Sequence, residues 1–306
     1  MQARLTEGSV GRRLLAMTLP MVVGMTSMVL YNLADTYFVG QIGTRELAAL
    51  GFTFPVVMLV GAVGIGLGSG TSAVISRAIG AGDDAGVRRL TTHSLLLASA
   101  VVLVLAGAGA LTVRPVFRLL GATDDVMGII RQYMLIWYAG GVFLMVPMVG
   151  NHALRAHGET ITASGIMLFG AALNVALDPV LIFGLGPVPA LGVPGAAVAT
   201  VVSRAATLAV SLSVLHYGKD LLRRSVLRSA RDMLRSWGQI LRIGVPSGAT
   251  TLLFPFSIAA ITRMAAAFGE PVVAAYGAGQ RIEGFAMLVF WAMGTTVLPF
   301  VGQNHA

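Results

Sequence analysis

The chain has 306 residues, of which 56% are hydrophobic and only 11% charged, and its mean hydropathy is +0.82. Soluble domains average about 25% charged residues, so this balance excludes an ordinary soluble domain and indicates an integral membrane protein. There is no cysteine, which removes disulfides, thiolate metal sites and cysteine nucleophiles. The net charge of +8 does not point to nucleic acid, because the basic residues gather in alternate loops, as orientation in a membrane requires.

The polar start, Met1–Gly11, carries charges of both signs. The apolar run that follows is too long for a signal-peptide core and has no small-residue cleavage pattern, so a retained first helix is expected. Eight spans follow from hydropathy: about 14–38, 47–76, 91–113, 128–150, 160–184, 191–216, 238–266 and 272–303. Each exceeds the roughly 20 residues needed to cross the hydrocarbon core. Pro20, Pro55, Pro147, Pro179, Pro246 and Pro299 interrupt several of them. Bilayer helices tolerate such breaks where neighbours satisfy the freed carbonyls.

Loop charge sets the expected topology. Arg4, Arg12 and Arg13 precede the first span, Arg77, Arg88 and Arg89 follow the second, and Arg155 follows the fourth. Lys219, Arg223, Arg224, Arg228, Arg231, Arg235 and Arg242 lie between the sixth and seventh or in the first turns of the seventh. The opposite set holds only Arg45, Arg114, Arg118 and Arg131. The positive-inside rule therefore puts the N-terminus in the cytoplasm. Residues 217–237 read as a basic cytoplasmic linker. Leu221, Leu222, Val226, Leu227, Met233 and Leu234 punctuate its arginines, which suits an amphipathic segment on the anionic inner leaflet as well as a plain solvated one.

That linker separates two units. At a shift of 226 positions, Leu15 meets Leu241, Pro20 meets Pro246, and Gly43 meets Gly269. Ala48, Ala49 and Gly51 meet Ala274, Ala275 and Gly277, and Gly68 meets Gly294. One ungapped register is the mark of a parallel repeat related by an axis along the membrane normal. The expected division is 1–216 as a six-helix N-terminal lobe, 217–237 as the linker, and 238–306 as the start of a C-terminal lobe. The second unit has two spans against six in the first, so truncation is expected.

Two carboxylates stand inside apolar spans. Asp35 closes the first, and Asp178 lies in Asn174-Val175-Ala176-Leu177-Asp178-Pro179. A carboxylate at mid-bilayer costs about 2.5–3.5 kcal/mol on insertion scales, and the usual reason to bear it is a proton or cation site facing a polar cavity. Asn174 and Asp178 are one turn apart and share a helix face. Pro179 cannot donate to the Val175 carbonyl. A carboxylate, an amide oxygen and a free carbonyl suit a hard cation such as Na+, with helix packing through an Asn/Asp pair as the bland account. Tyr31 lies one turn before Asp35 and could donate to it or stack on a cationic cargo. Asn151 closes span four, as a network amide or a helix cap. Glu283 enters span eight as a second acid for cationic cargo or as a boundary residue.

Other features carry less. Gly64, Gly66, Gly68 and Gly70 have neither the preceding strand nor the Lys-Ser/Thr of a phosphate loop, and close helix packing is the better account. The five histidines show no metal spacing. Gly80-Ala81-Gly82-Asp83 matches the G-x-G-D string of intramembrane aspartyl proteases but lies in a basic loop beside Asp84.

The stretches Leu30-Tyr31-Asn32-Leu33-Ala34-Asp35-Thr36-Tyr37-Phe38-Val39-Gly40, Glu46-Leu47-Ala48-Ala49-Leu50-Gly51 and Ile75-Ser76-Arg77-Ala78-Ile79-Gly80-Ala81-Gly82-Asp83 resemble the multidrug and toxic compound extrusion (MATE) family. So do Asn174 to Pro179, Gly192-Val193-Pro194-Gly195-Ala196-Ala197-Val198-Ala199-Thr200 and Val301-Gly302-Gln303-Asn304. The resemblance implies an all-α integral membrane fold of twelve helices in two six-helix lobes, with eight present here. It implies a secondary antiporter that exports cationic or amphipathic drugs in exchange for Na+ or H+, with no cofactor and no enzymatic activity. The first-helix acid is similar to that of the DinF-like branch, whose coupling site lies in the N-terminal lobe. By resemblance Asp35, Asn174, Asp178, Thr200 and Asn151 bind the coupling ion, with Na+ admitted at Asp35, Asn174 and Asp178. Tyr31 and Glu283, read from the residues themselves, are the candidate drug contacts, with ordinary aromatic lining and a boundary position as their bland accounts. The expected setting is the bacterial cytoplasmic membrane, as a multi-pass monomer. The alternative is a lipid-linked oligosaccharide flippase of the same superfold. It would need several basic residues in its cavity, and only Arg204, Arg263 and Arg281 fall near or within spans.

Overall fold

The computed structural model describes residues 5–6, 8–185, 188–222, 229–266 and 270–305. Their regular structure is helical: α1 Val10–Ile42, α2 Thr44–Gly80, α3 Asp84–Leu119, α4 Asp124–Ala139, α5 Gly141–Ala156, α6 Thr160–Phe183, α7 Val193–Ser213, α8 Ala230–Ala266 and α9 Glu270–Asn304. A single π turn, Val214–Gly218, extends α7. Linker residues Arg223, Arg224, Val226, Leu227 and Arg228, residues Met1, Arg4 and Gly269, and the side chains of Arg263 and Arg281 lie outside the described residues.

Among the described residues, six helices are long and apolar enough to cross a membrane: α1, α2, α3, α6, α7 with its π turn, and the Ala286–Asn304 part of α9. The expected fourth span is not one straight helix. It is the pair α4 and α5, bent by 51° at Gly140. Gly140 packs onto Val201, and Gly141 onto Val102. No side chain fills either spot, so the chain can turn where the helices crowd. The expected seventh span lies within α8, which opens at Ala230 with Arg231, Asp232 and Arg235 in its first turns.

The glycine run of α2 explains its central place. Residues two apart on an α-helix point about 200° apart, so alternate glycines fall on opposite faces. Gly64 and Gly68 face α5, against Met148 and His152. Gly66 and Gly70 face α8, where a Cβ on Gly66 would stand 2.5 Å from the Gly244 carbonyl oxygen and 3.0 Å from the Gly248 Cα. Small residues at four-residue spacing let backbones touch, which is how bilayer helices gain packing without a hydrophobic drive. On the other side of the bundle α1 packs on α6, with Gly24 against Ser164 and the Ser164 hydroxyl donating to the Pro20 carbonyl. Helix α6 packs on α7 through Gly170 against Thr207 and Gly195 against the Leu181 backbone.

Helices α8 and α9 close on α1 and α2 at the end of the bundle that holds the N-terminus. Thr18 and Thr296 share a hydrogen bond of 3.1 Å. Gln303 Nε2 donates to the Ala156 carbonyl (2.6 Å), its Oε1 accepts from Leu5 N–H (3.2 Å), and Asn304 donates to Leu5 O (3.1 Å). Trp237 Nε1 donates to the His93 carbonyl (3.0 Å), and His93 Nδ1 lies 3.0 Å from Ser236 Oγ. Farther along the same helices Leu30, Leu33, Tyr37, Phe54, Met58, Leu253, Ile261 and Met264 are exposed.

The beginning of the basic segment is docked on this N-terminal end. Lys219 pairs with Glu159 at 2.5 Å and Arg88 with Asp220 at 2.8 Å. Leu221 is fully buried and joins the protein core, so its apolar side chain meets protein instead of lipid.

Candidate functional site

Asp178 and Asn174 lie on the α6 face that turns toward α7, and both are buried. With its amide oriented to satisfy both atoms, Asn174 donates Nδ2 to Asp178 Oδ2 (3.1 Å) and accepts at Oδ1 from Thr200 N–H (3.2 Å). Thr200 therefore stands beside Asn174, the neighbour that the resemblance implies. Asp35, buried on α1, lies within electrostatic reach of Asp178. Asp35 Oδ1 and Asp178 Oδ1 are buried without a hydrogen-bond partner among the described residues. A buried carboxylate oxygen left so is costly unless a proton or cation comes to it.

Tyr31 stands one turn before Asp35 on α1. Its hydroxyl lies within reach of Thr200 and of the Arg204 guanidinium, which sits 5.3 Å over the ring centroid. The ring face expected to meet a cationic cargo is thus covered by a cation of the protein itself. Tyr133, buried on α4, is within electrostatic reach of Asp35, Tyr31 and Asp178. Neither Tyr133 nor Arg204 stands out as a site residue in the sequence. Arg204 does carry a signal, since it falls one turn after Thr200 inside an apolar helix. Tyr133 carries none, because a tyrosine in an apolar span reads as ordinary core.

Asn151 is buried on α5 with Oδ1 unpartnered. No hydrogen bond joins it to the Asn174 chain among the described residues. It sits inside α5, which runs on to Ala156, so it is not the cap of its helix. Glu283 is exposed on α9, apart from this cluster. No group of three or more His, Cys, Asp or Glu that could hold a metal ion occurs among the described residues. Asp83, the acid of the G-x-G-D string, is the N-cap of α3: its carboxylate accepts from Gly86 N–H at 2.8 Å. A capping carboxylate satisfies an orphan helix donor and needs no catalytic account.

The MatE family model matches residues 20–180, more than half of the chain. The chain belongs to the MATE family. It is therefore a member of a family of transporters, not of enzymes. It is 37% identical over 300 residues to the FAD transporter of Shewanella oneidensis, an alignment covering 98% of this chain and 66% of that protein. Among solved structures, the Vibrio cholerae MATE transporter VcmN in its bent form superposes with a TM-score of 0.88 at 32% identity. That match covers 95% of this chain and 65% of the other. A multidrug resistance MATE family transporter of the MOP superfamily, in an outward-facing conformation, superposes with a TM-score of 0.88 at 30% identity. It covers 99% of this chain and 67% of that one. The chain thus spans about two thirds of the length of its relatives.

Proposed function

We propose that this MATE family chain forms the ion-coupling part of a secondary antiporter, which exports cationic or amphipathic compounds in exchange for H+ or Na+. The observation that carries this reading is the pair of buried acids, Asp35 and Asp178, each with an unpartnered Oδ1 in one cluster. Two carboxylates in a low-dielectric site do not both ionise cheaply, and one incoming positive charge relieves them. Asn174 and Thr200 would orient Asp178 toward that charge. For Na+, the two carboxylates with the Asn174 and Thr200 oxygens offer a hard donor set. Asn151 does not join this set: its neighbour Gly150 packs on Ser211 and Leu215, eleven or more residues beyond Thr200 (211 − 200) and about 16 Å of helix away.

The division into lobes 1–216 and 238–306, joined by 217–237, is supported by the pairing of helices. A two-fold axis that carries α1 to α8 and α2 to α9 also carries the contact of α2 with α8 onto that of α9 with α1. Both contacts occur, and so do the equivalent pairs α1 with α2 and α8 with α9. On this reading the cytoplasmic end, marked by the basic loops, is closed and the molecule is open outward, as a monomer in the cytoplasmic membrane. Tyr31 and Glu283 then stand at one depth. Tyr31 is thirteen residues beyond Thr18 (31 − 18) and Glu283 thirteen before Thr296 (296 − 283), about 20 Å of helix from the shared hydrogen bond. They are the proposed cargo contacts of the two lobes.

A second reading of the cargo has its own observation. Arg204 over Tyr31 offers a guanidinium beside an aromatic face, which suits an aromatic anion, and the Shewanella oneidensis relative is an FAD transporter. Proteoliposomes containing a transporter of the relatives' full length, with this chain as its N-terminal part, separate the two. A cationic dye and a flavin dinucleotide are each loaded, and a proton or Na+ gradient is imposed. Dye efflux driven by the gradient supports the first reading. Flavin efflux that Arg204→Gln removes supports the second. Efflux of neither cargo on any gradient sinks both.

A further inference from the structure

All four basic residues of the far set gather at one corner. Arg114 and Arg118 lie one turn apart on α3, and Arg131 lies on α4. Together they line a cleft of about 560 Å³ with Asp124, Met127, Gly128, Gln132 and Leu135. The fourth, Arg45, pairs at 2.6 Å with Asp125, in the first turn of α4. Basic residues on that face run against the orientation rule, so their concentration calls for a cause.

Local accounts cover half of it. Arg118 sits in the last turn of α3, where the helix dipole favours a cation, and Asp124 holds it at 3.0 Å. Arg45 is neutralised by Asp125. Arg114 and Arg131 have no ion pair among the described residues, and both are exposed. The cleft floor between them is open: a Cβ on Gly128 would meet nothing within 4 Å. Two unpaired guanidiniums on facing helices are the donor arrangement that binds phosphate oxygens. The cleft is also graded. Leu135 lies one turn deeper than Arg131 and lines it, and Leu111, one turn before Arg114 and Pro115, is 86% exposed. Charge at the mouth and leucine toward the span is the profile of a lipid headgroup and its chain.

We propose that the cleft between the end of α3 and the start of α4 binds the phosphate of an anionic phospholipid in the leaflet away from the N-terminus. Arg114 and Arg131 clasp the phosphodiester oxygens, Arg118 stays with Asp124, and an acyl chain follows Leu135 toward the bilayer core.

The test uses the full chain, delipidated in detergent, with phosphatidylglycerol, phosphatidylcholine or inorganic phosphate added separately. Thermal unfolding and lipid retention in native mass spectrometry are read. Phosphatidylglycerol is expected to raise the unfolding temperature and to be retained in preference to phosphatidylcholine. Inorganic phosphate alone is expected to leave the protein unmoved. The double variant Arg114→Gln/Arg131→Gln removes two charge-assisted contacts, each equivalent to about tenfold or more, and should lower that preference by at least about tenfold. Arg45→Gln should leave it unchanged. The paired Arg→Lys variant keeps the charge without the fork and should fall between. Equal retention of phosphatidylglycerol by the wild type and the Gln variant overturns the site. Stabilisation by inorganic phosphate equal to that by phosphatidylglycerol overturns its assignment to lipid.

Discussion

Helices α1 and α2 are used differently in their two halves. Near the N-terminus they are clamped: Thr18 bonds to Thr296, Gly66 and Gly70 touch the α8 backbone, and Gly302 packs on Ser76. About 20 Å along α1 the same helix carries Tyr31 and Asp35 into a polar cluster, while Leu30, Leu33 and Tyr37 stand exposed. The clamped half is held by backbones in contact and by hydrogen bonds between helices, although Thr71 Oγ1 and Ser72 Oγ of α2 are buried there without a partner among the described residues. The other half keeps two carboxylate oxygens, Asp35 Oδ1 and Asp178 Oδ1, without partners. A packed and hydrogen-bonded seam costs energy to open, whereas buried carboxylates without partners gain energy from whatever proton or ion enters. A molecule that is to exchange ligands across a membrane needs both, because a ligand shifts a conformational balance only if it favours one state.

The largest effect should come from the unsatisfied half. In a transporter of the relatives' full length, Asp35→Asn and Asp178→Asn should each abolish gradient-driven efflux with little change in thermal unfolding. Wild-type efflux from both variants would make these acids structural and erase the contrast.

Paired glycines sharpen it next. Gly66→Ala puts a methyl against the Gly244 carbonyl and should cost about 1–3 kcal/mol, read as a lower unfolding temperature. Gly51→Ala, in the open half of α2, meets nothing within 4 Å. It should be neutral or stabilising by up to about 1 kcal/mol, as alanine replaces glycine in a helix. Equal losses at the two positions would show that the halves are packed alike.

Gln303→Ala removes two hydrogen bonds, to Leu5 and Ala156, and should cost about 1–3 kcal/mol. The chain has no cysteine, so a single Ser76→Cys variant reports the seam. Its labelling rate should rise when Gln303 is truncated, and an unchanged rate would mean that the seam does not depend on Gln303. The smallest effect belongs to the rim. Lys219→Ala breaks the partly exposed pair with Glu159 and should cost under about 1 kcal/mol. A larger loss in thermal unfolding would place the start of the basic segment among the elements that hold the seam.

Composition, hydropathy and the proline and glycine positions determined the membrane class, the family resemblance and, of the eight expected spans, the six that are single crossing helices among the described residues. These are properties of local segments, since an apolar run of sufficient length must be helical in lipid wherever it lies. Asp35, Asn174 and Asp178 were legible for the same reason: a polar residue in such a run is costly and therefore visible. The glycine run of α2 was legible as packing, but not its partners. Only the assembled helices put Gly64 and Gly68 on α5 and Gly66 and Gly70 on α8. The bend at Gly140 lies where Val201 and Val102 of other helices pack on the chain, and no window along the sequence contains them. Tyr133 and Arg204 joined the site through contacts between α4, α7 and α1, and their residue types are unexceptional by themselves. The gathering of Arg114, Arg118 and Arg131 around one cleft was equally hidden. Hydropathy assigns each residue a depth, and tertiary packing alone decides which residues at one depth stand side by side.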